Sequence, residues 1–296
     1  MVKIEGKTLG ELATEAISAC EEKAVTNLIL HGIFPYEEVN SGFIKMSDEM
    51  AAKWQSPIKP DELFINHGQY INKFGDGKKF LVEELTRKRD SNRACLSLIN
   101  MGDIIGSGDK PIPSFLILQF GFPEDNFDKI AVTAYFRALE VSQFLPINLT
   151  EISQNIRFLK SKFPTIERFE LTIIAFRAHF IRQFHCLKKA PIDAVHAVDI
   201  AFAVERKDLK QLREWIDSKM AASESVICTD GLEALYRALV RCEEKYEKGL
   251  IKDIREVLDD MNKLRETREA SSHAELIGKL NADIRKKLLS ARQRIK

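Results

Sequence analysis

The 296-residue chain carries 45 Lys and Arg against 44 Asp and Glu. The net charge of +1 gives no bulk electrostatic pull toward nucleic acid or an anionic membrane. With 45% hydrophobic and 30% charged residues it has the composition of a folded soluble protein, not a disordered one. Its length suits one large domain or a domain with an appendage. No apolar run is long enough to span a membrane, and the N-terminus lacks the basic-then-apolar pattern of a signal peptide. Cys20, Cys95, Cys186, Cys228 and Cys242 are widely spaced and odd in number, as reduced thiols would be. Without a Cys-x-x-Cys or His-x-x-x-His pair, no structural zinc site is expected. The expectation is a cytoplasmic, metal-free protein with no cofactor.

Thr8-Leu9-Gly10-Glu11 has the form of a capping box, and Leu9, Leu12, Ala13, Ala16, Ile17 and Cys20 follow at helical spacing. Cys20, at the end of that stripe, reads as core. Val25 to Phe34 is β-rich. Met46 to Pro60 is polar and ends in two prolines, which predicts a helix and a loop. A segment His67-Gly68-Gln69-Tyr70-Ile71-Asn72-Lys73-Phe74 precedes a basic helix over Lys78 to Arg89. Asp90-Ser91-Asn92-Arg93-Ala94 then leads into a strand over Cys95 to Ile99. Asp103 to Pro111 is glycine-rich ahead of Lys110, but the phosphate-loop spacing is missing and a surface loop is expected.

Two apolar runs, Ser114 to Phe122 and Lys129 to Leu139, flank the polar turn Pro123-Glu124-Asp125-Asn126, a hairpin signal. The second run keeps Arg137 among residues that suit a sheet interior. A buried guanidinium needs a carboxylate, a phosphate or an exit to water. Leu145-Pro146-Ile147-Asn148 then stops the strand and lets a helix begin, with Leu149, Ile152, Ile156 and Leu159 on its core face. Arg168 to Ile181 alternates as a long strand containing His179.

Pro113-Ser114-Phe115, Gln119-Phe120, Arg137-Ala138-Leu139-Glu140-Val141 and Leu145-Pro146-Ile147-Asn148 agree in order and spacing with a block of the thymidylate synthase family. There the pieces read Pro-Cys-His, Gln-Phe, Arg-Ser-x-Asp-Val and Leu-Pro-Phe-Asn. The chain resembles that family, and of the related pyrimidine hydroxymethylases, over roughly residues 1–188. The resemblance implies an α/β (α+β) fold, a mixed sheet with flanking helices, and a homodimer formed by stacking sheets. The family's nucleophilic cysteine is replaced by Ser114 and its neighbouring histidine by Phe115. A serine hydroxyl attacks only with an adjacent general base, so methylation or hydroxymethylation by the family route is expected to be lost. A Ser-His-Asp hydrolase on Ser114 lacks a Gly-x-Ser-x-Gly elbow.

What the resemblance leaves is binding. Asn148 matches the asparagine that recognises uracil, with helix capping as the competing role. Arg137 matches a phosphate-binding arginine, while Ala138 has lost the adjacent serine hydroxyl. Glu140 stands where aspartate is usual. Arg93 matches the second arginine of a Ser-Arg-Arg that reaches a partner protomer's phosphate, and Asn92 replaces the first; an ordinary polar turn is the alternative. Tyr70 matches a tyrosine lining the site, with Phe74 near the place of a folate-binding tryptophan. His179 falls near a ribose-binding histidine, a strand histidine with a local hydrogen bond being the alternative. The arginine-bearing loop that grips the phosphate near the family's N-terminus has no counterpart. Past His185 the resemblance stops.

The remaining residues, 189–296, read as a helical interaction region with helices over 193–204, 209–220, 231–248, 251–268 and 274–295. Ile251, Ile254, Leu258, Met261 and Leu264 form a narrow seam of coiled-coil type. The basic ending Ile284 to Lys296 reads as a solvated helix face, and nucleic-acid binding is not expected. The resulting expectation is a non-catalytic descendant that senses a uracil-type pyrimidine nucleotide or serves as a structural subunit, with a protein partner on the C-terminal helices. No residue points to a setting such as bacterial defence. The competing expectation is a nucleotide-modifying or hydrolysing enzyme using the same pocket.

Overall fold

A computed structural model of the chain describes residues 1–123, 126–181, 188–222, 226–270 and 274–296. Glu124 and Asp125 of the expected turn, and His185 and Cys186, lie outside the described residues. The chain divides into two compact units. The first holds residues 1–60, 65–105 and 112–186, and the second holds 61–64, 106–111 and 187–296. The second is therefore more than a C-terminal region, because it takes two short segments from within the first.

The first unit is a mixed α/β structure. Strand β1 (Val2–Glu5) is followed by helix α1 (Leu9–Cys20) and strand β2 (Val25–Pro35). The Thr8 hydroxyl accepts from the Glu11 N–H at 3.0 Å, while the Glu11 carboxylate reaches back to the Lys7 N–H at 2.7 Å. Helices α2 (Gly42–Lys45), α3 (Asp48–Gln55), α4 (His67–Ile71) and α5 (Gly77–Arg87) come next, then β3 (Cys95–Ser97) and α6 (Met101–Ile104). The hairpin β4 (Phe115–Gly121) and β5 (Lys129–Phe136) leads to the short β6 (Leu139–Glu140), the long α7 (Phe144–Lys162) and β7 (Arg168–His179). β1, too polar and short to stand out in the sequence, pairs in parallel with β2 at the sheet edge.

The seven-stranded sheet runs β1-β2-β7-β5-β4-β3, with β6 also on β7. Alternation decides its faces. Leu28, Leu30, Phe34, Phe169, Leu171, Ile173, Ile130, Val132, Leu118 and Phe120 point into one core with α1, α5 and the apolar stripe Leu149, Ile152, Ile156 and Leu159 of α7. On the other face, register aligns Ile29, Ile174, Tyr135 and Ile117 in one row across four strands. Ile33 and Phe176 on that face are 52% and 63% exposed.

The second unit carries α8 (Pro191–Ala194), α9 (Ala197–Glu205), α10 (Leu209–Ala222), α11 (Asp230–Arg241), α12 (Lys248–Ala270) and α13 (Ala274–Arg294). It has its own core, which includes Ile216, Leu235, Ile254, Leu264, Ile284 and Leu288. The buried stripe of α12 is Leu250, Ile254, Val257, Leu258, Met261 and Leu264, wider than the expected seam and leaving Ile251 at its rim. The basic ending is not simply solvated. Lys287 pairs with Asp260 at 2.7 Å, Arg292 with Asp217 at 2.6 Å and Arg294 with Asp253 at 2.8 Å. Those ion pairs tie α13 to α12 and α10. Among the described residues no helix is long and apolar enough to cross a membrane.

Candidate functional site

β5, β6 and β7 run parallel, and β4 runs against β5 so that Phe115 faces Phe136. This register brings Ser114, Arg137, Glu140 and His179 to one end of the sheet, outside the carboxyl ends of β5, β6 and β7. The first turns of α7, which carry Asn148, start there too. Ligands of α/β sheets commonly bind at such an end. Arg93 is elsewhere. It leads into Cys95, which faces Gln119 near the far end of β4, about 20 Å along the strand from Arg137. Within one chain the two arginines do not converge. Arg93 is exposed, its N–H donates to the Ser91 hydroxyl at 3.2 Å, and Ala94 closes a turn on the Ser91 carbonyl at 3.2 Å. That is the polar turn offered as its alternative role.

Arg137 is held by backbone alone. Its Nε donates to the Pro113 carbonyl at 3.2 Å and its Nη2 to the Ile112 carbonyl at 3.1 Å. Its own N–H donates to the Ser114 carbonyl at 2.9 Å. Among the described residues no carboxylate pairs with it. The residue is exposed, and the partial burial of its Nε end draws the guanidinium somewhat below its ordinary value. Nη1 keeps N–H groups for an outside acceptor. The Ser114 hydroxyl has no hydrogen-bond partner among the described residues, and the Phe115 ring stacks on Phe136 at 4.3 Å.

Glu140 is 4% exposed and fully engaged. Its carboxylate accepts from the N–H groups of Ser142 (2.9 Å), Gln143 (2.9 Å) and Phe144 (3.0 Å), and from the Ser142 hydroxyl at 2.5 Å. It therefore caps α7, meeting the free donors and positive end of that helix. The helix starts at Phe144, ahead of Pro146, so Asn148 lies inside it and is not its cap. His179 ends β7, opposite Glu140 in register. Burial lowers its imidazole below the ordinary value, Arg177 adds to that, and Glu140 opposes it.

Asn148 is wholly enclosed, and its neighbours were not legible in the sequence. Its Nδ2 donates to the Glu151 carboxylate at 3.4 Å. The same carboxylate takes His67 Nδ1 at 2.8 Å and 3.0 Å. An ionised carboxylate only accepts, so toward it His67 Nδ1 is the donor. His67 and Glu151 are 1% and 2% exposed. Trp54, Phe115 and Phe144 surround the imidazole at 4.9, 5.6 and 6.2 Å between ring centroids. Asn155 donates to the Gln55 amide oxygen at 3.2 Å. His67 Nε2, Asn148 Oδ1, Asn155 Oδ1 and Trp54 Nε1 are buried with no partner among the described residues. One signal was available: Asn148, Glu151 and Asn155 recur at i, i+3 and i+7 on the core face of a helix. Tyr70, in the same helix as His67, is half-buried against the first unit's core, and desolvation raises its phenol, with Asp103 adding and Lys73 opposing. Phe74 is 89% exposed and lines nothing.

What the geometry defines is a mixed α/β protein with an unmatched cation and an enclosed histidine–carboxylate network at the carboxyl end of its sheet. No protein-family model matches the chain, and no curated protein matches it.

Proposed function

We propose that the first unit is a non-catalytic, thymidylate-synthase-like module that binds the phosphate of a uracil-type pyrimidine nucleotide, acting as a sensor in a cytoplasmic homodimer. The single observation that carries this reading is Arg137. An exposed guanidinium oriented by two carbonyls, and matched by no carboxylate among the described residues, is arranged to receive an anion. It does so beside Ser114, a hydroxyl with no base on it among the described residues. The second copy stacks on the outer sheet face along the row Ile29, Ile174, Tyr135 and Ile117. Calorimetry with uridine and deoxyuridine monophosphates tests the reading. Binding without release of tritium from C5 is expected, weakened about 30-fold in Arg137→Gln, the loss of roughly 2 kcal/mol of charge-assisted hydrogen bonding. Equal affinity in the variant contradicts it.

A second reading, a purely structural subunit, is favoured by a different observation. Glu140 is spent on capping α7, and Asn148 is buried on that helix beside Glu151. Asn148 is fully buried, so a base reaches its amide only if the side chains enclosing it give way. No binding of either nucleotide, with an intact dimer, selects this reading. A hydrolase needs a base on Ser114, and C5 tritium release or product formation would restore the enzymatic alternative.

A further inference from the structure

Two helices of the second unit, α9 and α11, pack side by side and leave an open groove of about 360 Å³ between them. Four alanines line it, Ala197 and Ala201 from α9 and Ala234 and Ala238 from α11. With side chains that short, a third helix can approach closely. Beside the alanines of α9, Val198 and Phe202 are 63% and 50% exposed, four residues apart on one helix face. Neither belongs to the unit's own core. The groove is therefore flanked by apolar surface that the folded unit leaves unused.

The α11 side of the groove is charged, and the charges are ordered. Asp230 and Glu233 sit toward the helix N-terminus, Arg237 and Arg241 toward its C-terminus, and all four line the groove. Glu233 and Arg237 bridge each other at 3.0 Å. Asp230 and Arg241 are both exposed, three turns apart on one face and about 16 Å apart along the axis. Among the described residues, neither side chain makes a hydrogen bond or an ion pair. Acid at the start and base at the end suit the helix dipole. The dipole accounts for neither the alanines nor the exposed Val198 and Phe202.

A face ordered in this way is complementary to itself. When two copies of α11 run antiparallel about a two-fold axis, Asp230 of each meets Arg241 of the other, and Glu233 meets Arg237 near the centre. A parallel pairing would set like charges together. We propose that the α9–α11 groove is a self-association surface that joins two copies of the chain through antiparallel α11 helices. The contact belongs to the helical unit alone. It depends on neither the nucleotide site nor the sheet-stacked dimer proposed above.

Disulfide trapping on the full-length protein reads this contact and not sheet stacking. Ala234 lines the groove near the centre of the pairing, so Ala234→Cys should form an interchain link under mild oxidation, identified as the linked peptide by mass spectrometry. Lys279→Cys, exposed on α13, should link far more slowly. Added to Ala234→Cys, Asp230→Arg and Arg241→Glu should each slow linking about tenfold, since each sets two like-charge contacts in place of two attractive ones. Neither reversal breaks an ion pair among the described residues of its own chain, and the circular dichroism of each variant should match wild type. An equal mixture of the two reversed proteins should recover the rate as mixed pairs, because every reversed charge then meets its opposite. Failure of Ala234→Cys to link, equally fast linking of Lys279→Cys, indifference to both reversals, or no recovery in a mixture of folded variants overturns the proposal.

Discussion

Removing the Glu140 carboxylate should cost more than any other single change at the carboxyl end of the sheet. In Glu140→Ala the N–H groups of Ser142, Gln143 and Phe144 lose their acceptor. Gln143 is exposed and Ser142 half-buried, so water replaces the carboxylate there at a cost of about 1 kcal/mol each. Phe144 is buried, and an unmatched N–H there costs roughly 2 kcal/mol. The lost interaction with the positive end of α7 adds about 0.5 kcal/mol. The sum is about 4.5 kcal/mol. Urea unfolding followed by far-ultraviolet circular dichroism measures it, with Glu140→Gln expected near half because one acceptor oxygen remains. A loss below about 1 kcal/mol in Glu140→Ala would mean that the carboxylate is not the cap, and would return Glu140 to the ligand-binding residues.

In the helical unit, Lys219 is 3% exposed and donates to the Asp193 carboxylate and the Cys228 carbonyl, while Asp193 accepts from the Gly231 N–H at 3.1 Å. Lys219→Met leaves a buried carboxylate unmatched and should cost about 3–5 kcal/mol, read from Trp215 fluorescence in urea; Asp193→Leu added to it should recover part of that, and no recovery would contradict the pairing. Burial pushes the Cys228 thiol up to about 11, with Asp193 adding to the shift. At pH 8 only about one thiol in a thousand is then thiolate, so native protein should leave the Cys228 peptide unlabelled by iodoacetamide in mass spectrometry, and rapid native labelling would oppose this. His179 is lowered in the folded chain by burial. Its contribution to stability is therefore full above the unfolded value of about 6.5 and is lost as pH falls from there through the native value. Wild type should lose urea resistance relative to His179→Asn between pH 7.5 and 5, and parallel curves would refute the assignment.

The fold was legible where the pattern was strong. The α1 stripe, the β4–β5 hairpin and the alternation of β7 come directly from periodicity, and α12 differs only in the width of its buried stripe. β1 was missed because a short edge strand buries little and carries no alternation to read. The expected helix over 231–248 ends at Arg241, where a 3₁₀ turn over Glu243–Lys245 intervenes. The site was legible in part. Ser114 and Arg137 sit together because they are register neighbours on a hairpin, which sequence order already implies. His67 and Glu151 meet across 84 positions, and no local pattern encodes such a pairing. Arg93 lies at the other end of β4 from Arg137 in its own chain, so the phosphate role that motif resemblance implies for it concerns a partner protomer's site.

Whether Arg137 receives a phosphate is the question on which the functional account turns. A phosphorus-31 NMR titration of deoxyuridine monophosphate with the full-length protein addresses it directly, because it observes the group that Arg137 would hold. The account predicts a shifted and broadened phosphate resonance that reverts when inorganic phosphate competes and is absent with Arg137→Gln. A resonance indifferent to the wild-type protein, or the same response from the variant, would contradict it.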